Sequence, residues 1–556
     1  MKVKASTLSV KRAQMPSYKL INDSSGEGKL TQHIVSAKHV VGSMVNSSLD
    51  TDVQSANGLV DDSYESYYRL EDWDDAVSYH QWQWGTTVQL DQEYTMDRFT
   101  LAAPMDTVGY GAAAIYYWDS EQNKEVQASN VRIQQKDDGQ GRKYYVIKLA
   151  KPIKTSRVRF GLTTSGGVRN IMVAEIRFFQ YDSLESDIQA LFADDLHLTL
   201  AKDVDTELLN TLQQRLDTKN HGEYHPDQKA LQVELDTAKQ LYAEQDTLND
   251  TIAVHANLRS NKDSGISVGG LNAWQPLGIS AYAGQELVIY VGNPGMKTGQ
   301  NSSLSLVATQ QHAEASGFAK TVGNLKIGRN EITIPQITST DVEKGGALYL
   351  QYNGNKDTDQ YAVRVSSGTR VPTLDLYQVK DKEERMKRIR TYIEELQGFV
   401  PNLQQQHEKD HKTEGNEQVS YAYDEKTCVL NITDIMLDQM MYSIPASQVW
   451  NAVNDGSVEA GAEKLNASLN AMDDMMTLFY QHKGLSSDPD AGEKNKLPVS
   501  RLNLRYQRMF AGAFMYAGGL HIGIEWGSIP GLTRGVPVKA DPKGRYESGQ
   551  YFGWGI

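Results

Sequence analysis

The chain has 556 residues, enough for about three or four domains that each bury a core. It carries 56 Lys and Arg against 70 Asp and Glu, a formal net charge of -14, which argues against a nucleic-acid or anionic-membrane partner. Cys428 is the only cysteine, which excludes an intrachain disulfide framework. No apolar run approaches the roughly 18 residues of a membrane helix, and the basic start lacks the apolar segment of a signal peptide. The protein is therefore either cytosolic or a part of an exported protein whose signal lies upstream.

Residues 1–30 are polar with little periodicity and are interpreted as a linker. Between 31 and 182, short runs alternate apolar and polar residues and are separated by turn residues. This pattern predicts an antiparallel β-sandwich. The runs are TTVQLD (Thr86–Asp91), RFTLAA (Arg98–Ala103), AAIYYW (Ala113–Trp118), YYVIKL (Tyr144–Leu149), RVRFGL (Arg157–Leu162) and AEIRFF (Ala174–Phe179).

The order of NGLVDDSYESYY (Asn57–Tyr68), WGTTVQLD and AEIRFF resembles the coagulation factor V/VIII type C, or discoidin-like, domain. The resemblance implies loops at one end that bind galactose-type glycans or lipid head groups. It also implies a calcium site at Asp61 and Glu175, whose hard oxygen ligands suit that ion. The alternative is a solvated turn and an edge-strand glutamate without a metal.

A glycan site needs an exposed aromatic platform and hydrogen-bonding side chains, because a sugar presents one apolar face and a rim of hydroxyls. Trp73 stands between two aspartates in EDWDDAVSYHQWQWG and is the preferred platform. Arg169, in the loop TSGGVRN, is the candidate hydrogen-bond donor. Trp84 leads into a strand and is assigned to the core. The alternative is that all these tryptophans pack inside the sandwich.

Between 183 and 250 the apolar period becomes helical, with a break near Asn220–Asp227. We predict two amphipathic helices that act as a spacer. From 251 to 371 the β pattern returns, beginning with the strand, turn and strand of Trp274–Gly295, and predicts a second β-sandwich.

The region 372–556 is predicted to be mostly α. In Lys380–Val400, apolar residues recur on one helical face and Pro401 follows. Asp434–Tyr442 and Ala462–Lys483 are two more amphipathic runs that continue the helical pattern. Their methionines are interpreted as adaptable core.

QQQHEKDHK contains a formal His-Glu-x-x-His motif. On a helix, His407 and His411 would share one face and hold zinc, with Glu408 as the general base. A third ligand would come from further along the chain: Glu414, Glu417, Glu425 or Asp434. The flanks are polar, so no apolar residue anchors this face for a buried site. The competing interpretation is a solvated polar helix or loop whose histidines have no metal role.

The last stretch, AGAFMYAGGLHIGIEWGSIPGL (Ala511–Leu532), is glycine-spaced and apolar, and GQYFGWGI ends the chain at Ile556. The aromatics that alternate with glycine in this last run, Tyr551, Phe552 and Trp554 before Ile556, predict close contact between the backbone and another segment. GGLHIGIEWGSIPGL and YFGWGI resemble the segment that precedes the zinc helix in enhancin-like and mucin-degrading zinc metallopeptidases (peptidase family M sixty). The resemblance extends back to about Ile252. It implies that the zinc ligands and catalytic glutamate follow Ile556, so that the chain stops before them. His521 is interpreted as a core residue.

The predicted fold is thus multidomain, mainly β in its N-terminal and central parts, with a helical spacer (183–250) and a mostly α C-terminal lobe (372–556). The resemblance implies a secreted or cell-surface zinc metallopeptidase that acts on O-glycosylated, mucin-like proteins and carries a carbohydrate-binding module. This chain would lack peptidase activity because it holds no assigned zinc ligand. The alternatives are a glycan-binding adhesion protein, and a small metalloenzyme that uses His407, Glu408 and His411.

Overall fold

The structure is a computed structural model of the chain. It describes the residues 34–39, 59–60, 68–71, 84–102, 110–137, 143–164, 170–219, 224–225, 227–258, 271–310, 317–337, 342–411, 422–498, 501–508, 515–518 and 521–535. The chain divides into two compact units, one formed by 1–191 with 204–236 and the other by 192–203 with 237–556. None of the described helices is long and apolar enough to span a membrane.

The first unit is built around a seven-stranded sheet whose described strands all pair antiparallel. The sheet has the order β1-β3-β7-β4-β5, with β6 on β7 and β9 on β3, while β2 and β8 form a separate pair. The predicted β-rich character of this region is confirmed. The strands are β1 (Ile34–His39), β2 (Tyr68–Glu71), β3 (Trp84–Ala102), β4 (Tyr110–Asp119), β5 (Lys124–Gln127), β6 (Arg132–Asp137), β7 (Lys143–Thr164), β8 (Asn170–Val173) and β9 (Glu175–Phe179).

Two of these strands are longer than the sequence predicted. Each of β3 and β7 joins two runs that were expected to be separate strands. Their pairing shifts register between Gln89 and Tyr94 and between Met96 and Arg98. The polar residues between the runs therefore form bulges instead of turns, because a bulge lets one strand bend and continue.

The core of the first unit contains three phenylalanines that contact one another edge to face. Phe99 lies 5.2 Å from Phe160 and 5.6 Å from Phe178, between ring centroids. Alternation in the strands places all three on the inner face of the sheet. The described helices that follow are α1 (Leu184–Gln189), α2 (Thr206–Asp217) and α3 (Gln228–Ala243). The predicted helical character between 183 and 250 thus agrees with the structure, but three helices are described instead of the expected two.

The second unit begins with two sheets that share one core. One has the order β10-β18-β13-β16 and the other β15-β14-β17-β12-β19. Ile289, Leu306 and Val363, which belong to strands of both sheets, are fully buried in this core. The strands of these two sheets are β10 (Ile252–Ala253), β12 (Trp274–Tyr282), β13 (Glu286–Gly292), β14 (Asn301–Thr309), β15 (Ala319–Lys326), β16 (Gly328–Thr333), β17 (Gly345–Tyr352), β18 (Ala362–Ser366) and β19 (Thr369–Arg370). The short strand β11 (Leu271–Asn272) belongs to a third sheet.

The remainder of the second unit is a mixed sheet with helices packed against it. The sheet has the order β20-β21-β22-β23-β25-β24, with β11 on β23. The strands β20 and β21, β22 and β23, and β23 and β25 pair parallel. The elements are β20 (Thr373–Asp375), α4 (Lys382–Phe399), α5 (Leu403–His411), β21 (Thr433–Met436), β22 (Met440–Ile444), α6 (Ala446–Val453), α7 (Val458–His482), β23 (Arg501–Tyr506), β24 (Met515–Gly518) and β25 (His521–Ile524).

The helices α4 and α7 agree with the sequence prediction, and the apolar face of α4 is buried as expected. Ile389, Tyr392, Ile393 and Leu396 are all at most 1% exposed. The predicted helix at Asp434–Tyr442 is wrong, because this segment forms the hairpin of β21 and β22. Every residue of both strands is buried. Burial on both faces removes the alternation that identifies a strand in sequence. The lobe predicted as mostly α thus also contributes six strands to a seven-stranded mixed sheet, whose other strand is β11.

Candidate functional site

The His-Glu-x-x-His motif lies on α5, where His407 and Glu408 lie on different sides of the helix. Leu403 and His407, one helical turn apart, are buried at 2% and 1% exposure. Glu408 is exposed and accepts a hydrogen bond from Gln404 Nε2 at 2.9 Å. The expectation of a solvated histidine was therefore wrong for His407, because Leu403 anchors this helix face. The side chain of His411 lies outside the described residues.

His407 meets a carboxylate from a distant part of the chain. Its Nε2 lies 2.5 Å from Glu343 Oε1, and both side chains are 2% exposed. The other carboxylate oxygen of Glu343 accepts a hydrogen bond from the backbone N–H of Val429 at 2.7 Å. Charge-assisted hydrogen bonds of this kind are short and strong. Glu343 is thus held from two sides in the interior.

The backbone after Glu343 requires glycine. Gly345 has φ +116°, and a Cβ on it would lie 2.2 Å from the carbonyl oxygen of Ala281. On Gly346 a Cβ would lie 2.4 Å from the carbonyl oxygen of Thr309. Only glycine fits such close approaches between neighbouring strands. The two glycines let β17 start between β12 and β14 directly after Glu343, and they fix where that carboxylate lies.

Cys428 is the third member of this buried group. A carboxylate oxygen of Glu343, a ring nitrogen of His407 and the sulfur of Cys428 lie within 4.8 Å of one another. Burial, and then the charge of Glu343, raises the pKa of the Cys428 thiol. Burial, and then the charge of Asp410, raises the pKa of Tyr282, whose hydroxyl donates to Asp410 at 3.0 Å. We call Glu343, His407 and Cys428 the buried triad.

The segment that carries Cys428 is tied down by side-chain hydrogen bonds. Asn431 donates from Nδ2 to the carbonyl of Glu425 at 2.8 Å and to Ser447 Oγ at 2.9 Å. Ser280 Oγ donates to the carbonyl of Val429 at 2.6 Å. Because these bonds are buried or partly buried, they hold the cysteine in one position.

The triad is closed to solvent, and this bears on a catalytic metal. A catalytic zinc keeps an open position for water or substrate. His407 is 1% exposed and lies beside Glu343 and the rings of Tyr282 and Tyr423, while Glu408 is exposed. The described side chains of the motif therefore do not fit a catalytic zinc centre.

The glycine-spaced stretch near the C-terminus forms β24 and β25. A Cβ on Gly523 would lie 2.2 Å from the ring of Tyr516, so the ring covers the backbone at this glycine. The close contact predicted for Tyr551–Ile556 lies outside the described residues and stays a prediction. The Tyr516 hydroxyl lies 2.7 Å from His521 Nε2, and the Phe318 ring centroid is 4.0 Å from that of His521. Burial, and then the charge of Arg505, lowers the pKa of His521 to about 4. His521 is thus a neutral, buried histidine at neutral pH.

A polar network is buried beneath the same sheet. Tyr349 and Ser443 both donate to Asp434 Oδ1, at 2.8 and 2.7 Å. Burial raises the pKa of Asp434 to about 6. Arg501 and Arg505 on β23 are fully buried as well. Nothing in the sequence pattern identified this network, because strand alternation does not distinguish a buried polar residue from an exposed one.

The other predicted site residues are only partly placed. Glu175 is buried at 1% exposure as the first residue of β9, where it pairs with Ala102. Asp61, Trp73 and Arg169 lie outside the described residues, so the calcium and glycan sites stay predictions.

No protein-family model matches the chain, and no curated protein does. Among solved structures, one with the CBM32-1, CBM32-2 and M60 catalytic domains of Clostridium perfringens ZmpB is 18% identical, with a TM-score of 0.48, over 90% of this chain and 47% of that chain. The M60 catalytic domain of Clostridium perfringens ZmpC in complex with the sialyl T antigen is 21% identical, with a TM-score of 0.38, over 50% of this chain and 48% of that one. A metallopeptidase from Bacteroides thetaiotaomicron is 13% identical, with a TM-score of 0.32, over 64% and 48%. The chain spans about half the length of each of these structures.

Proposed function

We propose that this chain forms the glycan-binding region and part of the catalytic region of a secreted zinc metallopeptidase that acts on O-glycosylated, mucin-like proteins. The observation that carries the proposal is the sequence GGLHIGIEWGSIPGL, which resembles the segment before the zinc helix of enhancin-like metallopeptidases. The zinc ligands and the catalytic glutamate are expected in that helix. When zinc is bound there, it polarises a water for attack on the peptide carbonyl.

The placement of this segment supports a scaffold role. The strand β25 lies inside the mixed sheet, between β23 and β24. Its His521 is buried, and the chain continues from it into the short 3-10 helix of Trp526–Leu532. An internal strand gives a rigid support, and functional groups on rigid elements are held more precisely than groups on loops.

The closed surroundings of His407 favour this proposal over a small enzyme that uses the His-Glu-x-x-His motif. We therefore expect the chain to bind O-glycosylated proteins without cleaving them. A glycan-binding adhesion protein without peptidase activity is the second candidate. A cleavage assay on the complete product of the gene distinguishes the two candidates. That product cleaves an O-glycosylated protein in a zinc-dependent reaction under the first proposal, and only binds it under the second.

The experiment measures binding and cleavage of a mucin-type glycoprotein. We expect binding to be lost when the O-glycans are removed, and to weaken about tenfold or more in Trp73→Ala. Tyr224, 46% exposed, provides the matched control for loss of an exposed aromatic side chain, and Tyr224→Ala should bind normally. Binding that does not depend on the glycans would refute the glycan-binding part. Zinc-dependent cleavage by this chain that disappears in Glu408→Gln would refute the expectation that the chain binds these proteins without cleaving them.

A further inference from the structure

The buried triad brings three different metal-binding groups together from three parts of the chain. Glu343 precedes β17, His407 lies on α5, and Cys428 lies in the segment before β21. Their exposed fractions are 2%, 1% and 2%, and their ligand atoms lie within 4.8 Å of one another. A carboxylate, an imidazole and a thiol are each good ligands, and mixed sets of this kind bind transition metals.

The charges around the triad favour a cation. Asp410 follows His407 by three residues, so both lie on one side of α5. Its carboxylate accepts hydrogen bonds from Tyr282 at 3.0 Å and from Gln406 at 2.8 Å. The carboxylate of Glu343 and the thiol of Cys428 therefore lie beside the imidazole, and a second carboxylate, Asp410, lies on the same side of its helix. Burying negative charge is costly unless a cation compensates it.

The geometry needs only a small adjustment to admit a metal. The Glu343 and His407 ligand atoms are 2.5 Å apart, in direct hydrogen-bond contact. In a tetrahedral site with metal–ligand bonds of about 2.1 Å, two such atoms lie about 3.4 Å apart. The two side chains would therefore separate by about 1 Å, a shift that small changes in their side-chain torsions can supply.

We propose that Glu343, His407 and Cys428 form a structural zinc site, in which a water is the fourth ligand. Zinc fits because it accepts sulfur, nitrogen and oxygen ligands in tetrahedral geometry, whereas calcium and magnesium avoid sulfur. The closed surroundings assign the metal a structural role, linking α5 and the Cys428 segment to the start of β17. This site is separate from the catalytic zinc of the proposed function and does not depend on it.

The first test uses Co²⁺ as the probe. Untagged, metal-free chain is titrated with Co²⁺, and thiolate-to-cobalt charge-transfer absorption is recorded in the near ultraviolet. Because Cys428 is the only cysteine in the chain, any such absorption reports this residue. We expect the band to saturate at one equivalent and to disappear when one equivalent of Zn²⁺ is added. Absence of the band in the wild-type chain would overturn the proposal without any need for a variant.

The second test measures zinc retention after dialysis in four variants. Cys428→Ser and His407→Gln should weaken zinc binding by more than about 100-fold, because even changes outside the ligand set cost 10–100-fold. Glu408→Gln and His411→Ala, on the same helix, should retain one equivalent of zinc. Circular dichroism confirms that each variant is folded. Zinc retention in Cys428→Ser that equals that of the wild type would overturn the proposed site. Loss of zinc in His411→Ala would also overturn it, because this result assigns the metal to the His-Glu-x-x-His motif instead.

Discussion

Replacement of Glu343 by glutamine tests how the buried carboxylate stabilises the second unit in the absence of metal. The wild-type carboxylate accepts from two donors, His407 Nε2 at 2.5 Å and the Val429 N–H at 2.7 Å. Glutamine keeps one acceptor oxygen and directs an NH₂ group at the other donor. Loss of one partner of a buried pair costs about 3–5 kcal/mol. Even the lower of these two costs raises the equilibrium constant for local opening by roughly 100-fold.

Cys428 provides the assay, because it is buried and is the only thiol. The labelling rate of this thiol is measured under native conditions in a chelator, where it reports local opening in the second unit. We expect Glu343→Gln to label roughly 100-fold faster than the wild type. Glu331 pairs with Arg329 but is 76% exposed, so Glu331→Gln is the matched control and should change the rate by less than about fivefold. A rate for Glu343→Gln that equals the control rate would refute the reasoning.

Two further predictions concern the core of the second unit. The pKa of Asp434 is raised from 3.8 to about 6, so the folded state keeps a proton that the unfolded state has lost. Its contribution to the free energy of unfolding is therefore present below about pH 4 and is lost as the pH rises through 6, a change of about 3 kcal/mol. Urea unfolding at pH 4 and pH 7 measures this change, and Asp434→Asn should abolish it. The same pH dependence of stability in the wild type and the variant would contradict this. On α7, Leu469 is fully buried whereas Leu478 is 66% exposed. Leu469→Ala should lower the free energy of unfolding by about 2–5 kcal/mol and Leu478→Ala by less than about 0.5 kcal/mol, and equal costs would exclude the assigned burial.

Periodicity alone located the elements that are buried on one face. The face of α4 with Ile389, Ile393 and Leu396 has helical spacing and is buried as predicted. The strands β12 and β13 also lie where alternation and a glycine-containing turn placed them. In α4 one face is apolar because it meets the core, so the local pattern contains the information. The strand β12 was located by its glycine-containing turn although both of its faces are buried.

The same reasoning failed where tertiary packing covers both faces of a strand. Asp434–Tyr442 carries apolar residues at helical spacing, yet it forms β21 and β22 because neighbouring strands and helices enclose it. The bulges of β3 are a similar case, since polar residues between two runs are compatible with both a turn and a bulge.

The candidate site shows most clearly what the sequence determines and what it leaves to the fold. Residue types alone identify the groups with metal-binding chemistry, including the motif at His407 and the single thiol of Cys428. They do not indicate that His407 turns toward Glu343, which lies 64 residues earlier in the chain. That contact depends on the position of β17, on the glycines that start it, and on the packing of α5 through Leu403. Spacing along the chain determines only local geometry, whereas a buried cluster drawn from three segments exists only once the chain has folded.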